Sequence, residues 1–298
     1  MNPVTTYDQP MLPDPLPLKG EYSKLKVVAL FLLFVPVFFA WTFLSLAAWP
    51  ILKIASCFGA KWALANSLTN ECFNLWIAAV HYFQSVKDTV GTGQPILLVH
   101  GYLHNSSGWY AMIEEMEKAG FGPIYTIDLG DGSLSGKFWS IEDYAEQLAQ
   151  KVKEIRDTSG RYDVALIGHS MGGVVSAYYA TTLADPGVVS DVITIGSPLQ
   201  GTPMANYFGV GAAGDEMRTD SPFLMELQEK MGQTPNIRYY SVASETDEVV
   251  PFHSAVYGTD ATKQMIIPDK GHFSLMISRE VSKQIALWLK EHPTMDLI

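Results

Sequence analysis

From Gln94 onward, short and nearly continuous apolar runs alternate with longer stretches in which apolar residues return every three or four positions. The runs 95–99, 123–127, 162–167, 191–195, 237–242 and 263–267 have strand length, and several lack the polar alternation of a half-exposed sheet. Strands that are apolar on both sides belong to a parallel sheet covered on both faces. Between them, 108–119, 141–158, 174–184 and 275–291 read as helices. In the second of these, Ile141, Tyr144, Leu148, Val152 and Ile155 share one face, and Ser140 with Asp143 supplies an N-terminal capping pair. Strands alternating with helices predict an α/β sandwich. There is no internal repeat and no dinucleotide-binding fingerprint.

The first third of the chain is patterned differently. Residues 1–26 open with five prolines, Pro3, Pro10, Pro13, Pro15 and Pro17, and are expected to form an extended, disordered tail. Residues 27–52 hold no charged side chain and are long enough to cross a hydrocarbon layer of about 30 Å as a helix. Pro36 would kink such a helix without forbidding it. A cleaved leader is the rival reading, but the apolar stretch is too long for one and begins too late. Residues 27–52 are therefore expected to be an uncleaved membrane anchor. Lys19, Lys24 and Lys26 before it, against Lys53 and Lys61 after it, lean by one lysine toward a body on the extracytoplasmic side. Residues 53–90 are apolar and aromatic but broken by Lys61 and Glu71, and are expected to be membrane-proximal interfacial helices. Residues 91–298 then form the α/β domain.

Composition narrows the partners. The 298 residues are 48% hydrophobic and 17% charged, with a formal net charge of −11. That balance provides an ample core and argues against nucleic-acid binding, which requires a basic face. Cys57 and Cys72 have no metal-ligand spacing and read as unpaired apolar residues, with one disulfide as the alternative. No calcium or other metal constellation is visible, and no cofactor is expected.

The chemistry is concentrated around Gly168-His169-Ser170-Met171-Gly172. An apolar strand ends there and a helical stretch begins, which is the setting of a Gly-x-Ser-x-Gly nucleophile elbow. The turn needs glycines because side chains at those positions would meet neighbouring backbone. Such a serine needs a base, an acid to orient that base, and donors for the developing oxyanion. One donor would be the N–H of Met171, directly after the nucleophile. The other would come from the loop after the first sheet strand, where His100-Gly101 places Tyr102. His100 reads as a structural histidine fixing that loop; nothing in the sequence supports a role for His104 or His169.

In this arrangement the acid precedes the histidine along the chain. After the strand 237–242 three acids compete, Glu245, Asp247 and Glu248. His272 follows the last strand and a glycine, where an imidazole could return to Ser170. His253 is its rival, although it sits on the loop that should carry the acid. Residues 201–236 are long for a connection between strands and rich in methionine and aromatic residues. They are expected to form a cap over the site, with Phe208, Met217, Phe223 and Leu224 as substrate-binding candidates; ordinary core packing is the alternative.

With these segments together, the chain resembles the α/β-hydrolase superfamily, particularly bacterial triacylglycerol lipases and related esterases. The resemblance covers roughly residues 94–292 and rests on Val99-His-Gly101, the elbow, Thr194-Ile-Gly-Ser-Pro-Leu-Gln-Gly-Thr202, Asp247-Glu-Val-Val-Pro251 and Gly271-His272. It implies an α/β-hydrolase fold and selects Asp247, which precedes the Val-Val-Pro turn, as the acid. It also implies hydrolysis of carboxylic esters through an acyl-serine intermediate on Ser170, with His272 as base. Leu199-Gln200 departs from the polar pair common after that Ser-Pro. A thioesterase, amidase or acyltransferase with the same residues is an alternative, as is a membrane-tethered binding protein without catalysis.

Overall fold

The computed structural model describes residues 86–102, 104–130, 139–209, 211–258, 260 and 263–291. The expected tail, the anchor at 27–52, nearly all of the interfacial segment, Cys57 and Cys72 lie outside the described residues. No described helix is long and apolar enough to cross a membrane.

Six strands form one sheet: β1 Ile96–Val99, β2 Ile124–Ile127, β3 Val164–His169, β4 Val189–Ile195, β5 Arg238–Ser244 and β6 Gln264–Ile267. Their order is β2-β1-β3-β4-β5-β6 and every neighbouring pair is parallel. Each of the six apolar runs thus became a strand. The alternation within them divides the core. Leu97, Val99, Val164 and Leu166 face one apolar cluster, whereas Ile96, Leu98, Ala165 and Ile167 face the other. All eight are buried, which is why neither strand shows a polar side.

Helix α1 Tyr110–Lys118 follows a 3-10 turn at Ser106–Trp109, and α2 is Ile141–Ser159. Helix α3 Met171–Tyr178 runs into a π-helical turn at Tyr179–Leu183. Short helices α4 Pro203–Phe208, α5 Gly211–Glu216 and α6 Pro222–Gly232 lie between β4 and β5, and α7 Phe252–Ala255 follows β5. The chain closes with α8 His272–Met276 and α9 Arg279–Glu291. Helices α2, α3 and α6 cover one face of the sheet; α1 and α9 cover the other with Met112, Met116, Val281, Ile285 and Trp288. Helix α2 begins as expected: Ser140 Oγ accepts from Asp143 N–H, and Asp143 Oδ2 accepts from Ser140 N–H, both at 3.0 Å.

Two helical expectations need correction. The stretch 275–291 is two helices, separated at Ile277-Ser278. Ser278 starts the second, its carbonyl accepting from Ser282 N–H at 3.0 Å. The helix expected at 174–184 begins three residues earlier, at Met171. This is the architecture of an α/β hydrolase: a parallel sheet flanked by helices, with strand-to-helix loops gathered at the carboxyl ends of the strands.

Candidate active site

Ser170 occupies the single residue between β3 and α3 and has φ 55 and ψ −128. A side chain at positive φ is strained by roughly 1–3 kcal/mol and persists only where its surroundings impose it. They do so here. Ser170 N–H donates to Ile195 O at 2.9 Å, and Ser170 O accepts from Gly173 N–H at 3.1 Å. A Cβ on Gly172 would lie 2.2 Å from Val99 O, and one on Gly168 would lie 2.4 Å from Gly172 O. The helix therefore starts against the backbone of β1, an approach that only glycine permits.

Beyond β5 the loop at Asp247 folds over its own carboxylate. Asp247 Oδ1 accepts from the N–H groups of Val249 and Val250, both at 2.8 Å, while Oδ2 lies 2.9 Å from His272 Nδ1. The two side chains are 1% and 3% exposed. A carboxylate oxygen can only accept, so Nδ1 of His272 carries the hydrogen, and Nε2 of the neutral ring keeps a lone pair. The competing acids are placed elsewhere. Glu245 and Glu248 are exposed, and Glu248 Oε2 lies 3.4 Å from the main-chain N–H of His272 rather than from its ring. His253 is exposed on α7.

The elbow and this pair are neighbours. A Cβ on Gly196 would stand 3.2 Å from Asp247 Oδ2 and 3.3 Å from His272 Nδ1. Gly196 directly follows Ile195, whose carbonyl holds the Ser170 N–H. From the other side, the His169 and His272 rings lie 4.6 Å apart, and His169 Nε2 is 3.0 Å from His272 O. The Asp247–His272 pair thus lies beside Gly196 and His169, the two residues that adjoin the Ser170 turn. Positions 170, 247 and 272 follow β3, β5 and β6 at the carboxyl edge of the sheet, where open α/β sheets hold their ligands.

The loop after β1 closes a third side. A Cβ on Gly101 would be 2.8 Å from Ser170 Cβ. His100 holds this loop: Nε2 accepts from Leu129 N–H at 2.8 Å, which leaves Nδ1 as the donor to Gly101 O at 2.8 Å. Asp128 Oδ1 anchors the next turn through Ser106 N–H at 2.6 Å. Tyr102 is half-buried beside this loop, and Met171 is the first residue of α3. The N–H groups of a helix's first turn are oriented to receive negative charge.

Within residues 201–236 some apolar side chains pack inward and others stay exposed. Met217 and Leu224 are 6% and 1% exposed within the cluster that contains Val174 and Tyr178. Both side chains pack into the core rather than standing open to solvent. Burying such a side chain contributes about 2 kcal/mol, reason enough for the segment to fold inward. Phe223 is half-buried and stacks on Tyr178 at 5.4 Å. The side chain of Phe208, the last residue of α4, lies outside what is described. Met204, Tyr207 and Met225 remain exposed. Among the described residues no group of three or more His, Cys, Asp or Glu side chains could hold a metal ion.

Comparison with known proteins agrees with this fold. Residues 94–236 match the family described as alpha/beta hydrolase fold. A triacylglycerol lipase of Burkholderia plantarii is 29% identical over 169 residues, which are 53% of this chain and 43% of that protein. A triacylglycerol lipase of Pseudarthrobacter phenanthrenivorans is 30% identical over 139 residues, covering 43% of this chain and 39% of the relative. This chain thus spans less than half the length of these curated relatives. The crystal structure of a Bacillus licheniformis lipase in mature form superposes with a TM-score of 0.56 at 21% identity, covering 69% of this chain and 95% of that one. The chain is an α/β-hydrolase-fold protein similar to bacterial lipases and esterases.

Proposed function

We propose that this protein is a serine hydrolase that cleaves carboxylic esters, with Ser170 as nucleophile, His272 as general base and Asp247 as the acid that orients it. The observation that carries the reading is the buried 2.9 Å contact between Asp247 and His272 beside a serine held at φ 55. Structural serines are rarely strained, and a buried Asp–His pair beside one has little reason to exist as packing alone. Similarity to triacylglycerol lipases supports ester substrates over other acyl compounds.

In this mechanism His272 Nε2 takes the Ser170 proton as Oγ attacks the ester carbonyl carbon. Asp247 keeps Nδ1–H directed at itself and stabilises the imidazolium that forms. The N–H groups of Tyr102 and Met171 receive the oxyanion as the carbonyl becomes tetrahedral. The imidazolium then protonates the departing alcohol, leaving an acyl-serine. Water, deprotonated by His272, releases the carboxylic acid and regenerates Ser170.

The uncharged stretch 27–52 supports a membrane anchor, and an enzyme held at a bilayer meets lipid-like esters at high local concentration. Under this proposal the full chain stays with the membrane fraction after alkaline carbonate washing, and a chain beginning at residue 91 is released. A protein that washes off intact would overturn the anchor. The hydrolase reading is tested by Ser170→Ala. It should remain folded by circular dichroism and lose turnover of p-nitrophenyl esters, whereas retained turnover would remove Ser170 from the mechanism.

A further inference from the structure

The residue before the nucleophile has a role that the proposed triad does not use. His169 is 1% exposed and is the last residue of β3, directly before Ser170. Its Nε2 lies 3.0 Å from the main-chain carbonyl of His272. A carbonyl oxygen has no hydrogen to give, so Nε2 must be the protonated nitrogen. Nδ1 of the same ring is buried with no protein partner among the described groups, and it lies 3.3 Å from the space a Cβ on Gly101 would fill. Desolvation, reinforced by the neighbouring His272, holds the His169 imidazole well below its ordinary range. The ring is therefore a fixed neutral donor.

The position of that donor matters. His272 follows a loop, begins a helix of only five residues, and is 103 positions from His169 in the chain. Its ring is oriented by Asp247 on the side of β5, yet neither β5 nor the Asp247 loop touches the elbow through that hydrogen bond. The His169 bond does. It joins the backbone of the histidine to the residue covalently attached to Ser170. The ring faces, 4.6 Å apart and inclined by 47°, add contact along the same line.

We infer that His169 is a positioning residue, whose Nε2–H tethers His272 to the nucleophile elbow and sets the distance between imidazole and serine hydroxyl. The kinetic part of this inference rests on the hydrolase reading; the structural part does not. A displacement of about 1 Å at a reacting pair can cost on the order of 100-fold in rate, so one buried hydrogen bond suffices for a measurable effect.

The test compares three substitutions in the full chain. His169→Gln can place an amide N–H near the former Nε2, His169→Asn is one carbon too short, and His169→Phe keeps the ring but not the donor. The first readout is the downfield proton resonance of the His272 Nδ1–H bonded to Asp247, recorded without substrate. The second is the steady-state kinetics with a p-nitrophenyl ester.

In H169N and H169F the resonance should shift or broaden into exchange, and kcat should fall ten- to a hundredfold with KM within about twofold. H169Q should restore both toward wild type. An unchanged resonance and kcat in H169N and H169F would overturn the inference, as would equal losses in H169Q and H169N. Should H169F not fold, the Gln–Asn pair decides alone. If the wild-type protein turns over no ester, the hydrolase reading fails, but the resonance comparison still decides the role of His169.

Discussion

Asp247 Oδ2 lies 2.9 Å from His272 Nδ1 although 25 residues separate them and they leave the sheet from different strands. The Asp247 carboxylate is committed on its other oxygen to the N–H groups of Val249 and Val250. It therefore arrives at the histidine already aimed. Asp247→Asn can keep those two backbone bonds through its amide oxygen, so the fold should persist. The amide nitrogen would face Nδ1 as a donor and favour the wrong imidazole tautomer. Ester turnover should drop by about 10³- to 10⁴-fold while the thermal midpoint moves little. A drop below tenfold would mean that another acid serves His272.

The glycines of the elbow differ in what they resist. A methyl on Gly172 would sit 2.2 Å from Val99 O and 2.5 Å from His100 O, both main-chain atoms. Gly160, at the end of α2, has φ 69 and open space around it. Gly160→Ala should cost about 1–2 kcal/mol, the price of a left-handed residue. Gly172→Ala should cost more than about 4 kcal/mol or prevent folding, because backbone must separate. Urea titration of the two variants measures the difference; equal losses would contradict the close packing of α3 on β1.

The pH dependence of stability follows from His169. Its folded-state imidazole is depressed below the unfolded value of about 6.5. The native state therefore binds fewer protons than the unfolded chain as the solution becomes acidic. Stability from this group is complete above about pH 6.5 and declines as pH falls toward the folded value, by up to ~1.4 kcal/mol per pH unit. H169Q should show a shallower decline between pH 6.5 and 5 in chemical denaturation. Parallel curves would place the acid sensitivity elsewhere.

At the opposite, amino ends of the strands, Arg238 holds Asp191 through two contacts of 2.7 Å. The Asp191 side chain is 1% exposed, that of Arg238 31%. Arg238→Met would leave a buried carboxylate without its cation and should cost about 3 kcal/mol, with esterase kinetics of the remaining folded protein unchanged. A loss under about 1 kcal/mol would show that water reaches Asp191.

The sheet was legible because doubly buried strands cannot hide. Ile96–Val99 and Val164–Ile167 are apolar at every position and bounded by glycine or polar residues within a turn's reach. The elbow was legible for a different reason: its glycines are demanded by backbone contacts at 2.2–2.4 Å, and close contact leaves a signature in residue type. The choice of Asp247 was not legible from local pattern. Glu245, Asp247 and Glu248 lie within four positions, and only the turn that folds Val249 and Val250 N–H back onto Asp247 separates them. The break at Ile277-Ser278 escaped because the apolar spacing continues across it. His169 escaped too, since a histidine that bonds a distant carbonyl looks the same in sequence as any other. The methionines of 201–236 suggested a cap, but composition alone does not distinguish a side chain that roofs a cleft from one that fills a core. Met217 and Leu224 fill the core.

The account depends on Ser170 being a nucleophile. Its most direct test is labelling of the folded protein with a fluorophosphonate, followed by peptide mass spectrometry. A single phosphonate on Ser170, abolished in S170A and strongly slowed in Asp247→Asn, is the predicted result. A folded protein that takes no label, or takes it at another residue, would contradict it.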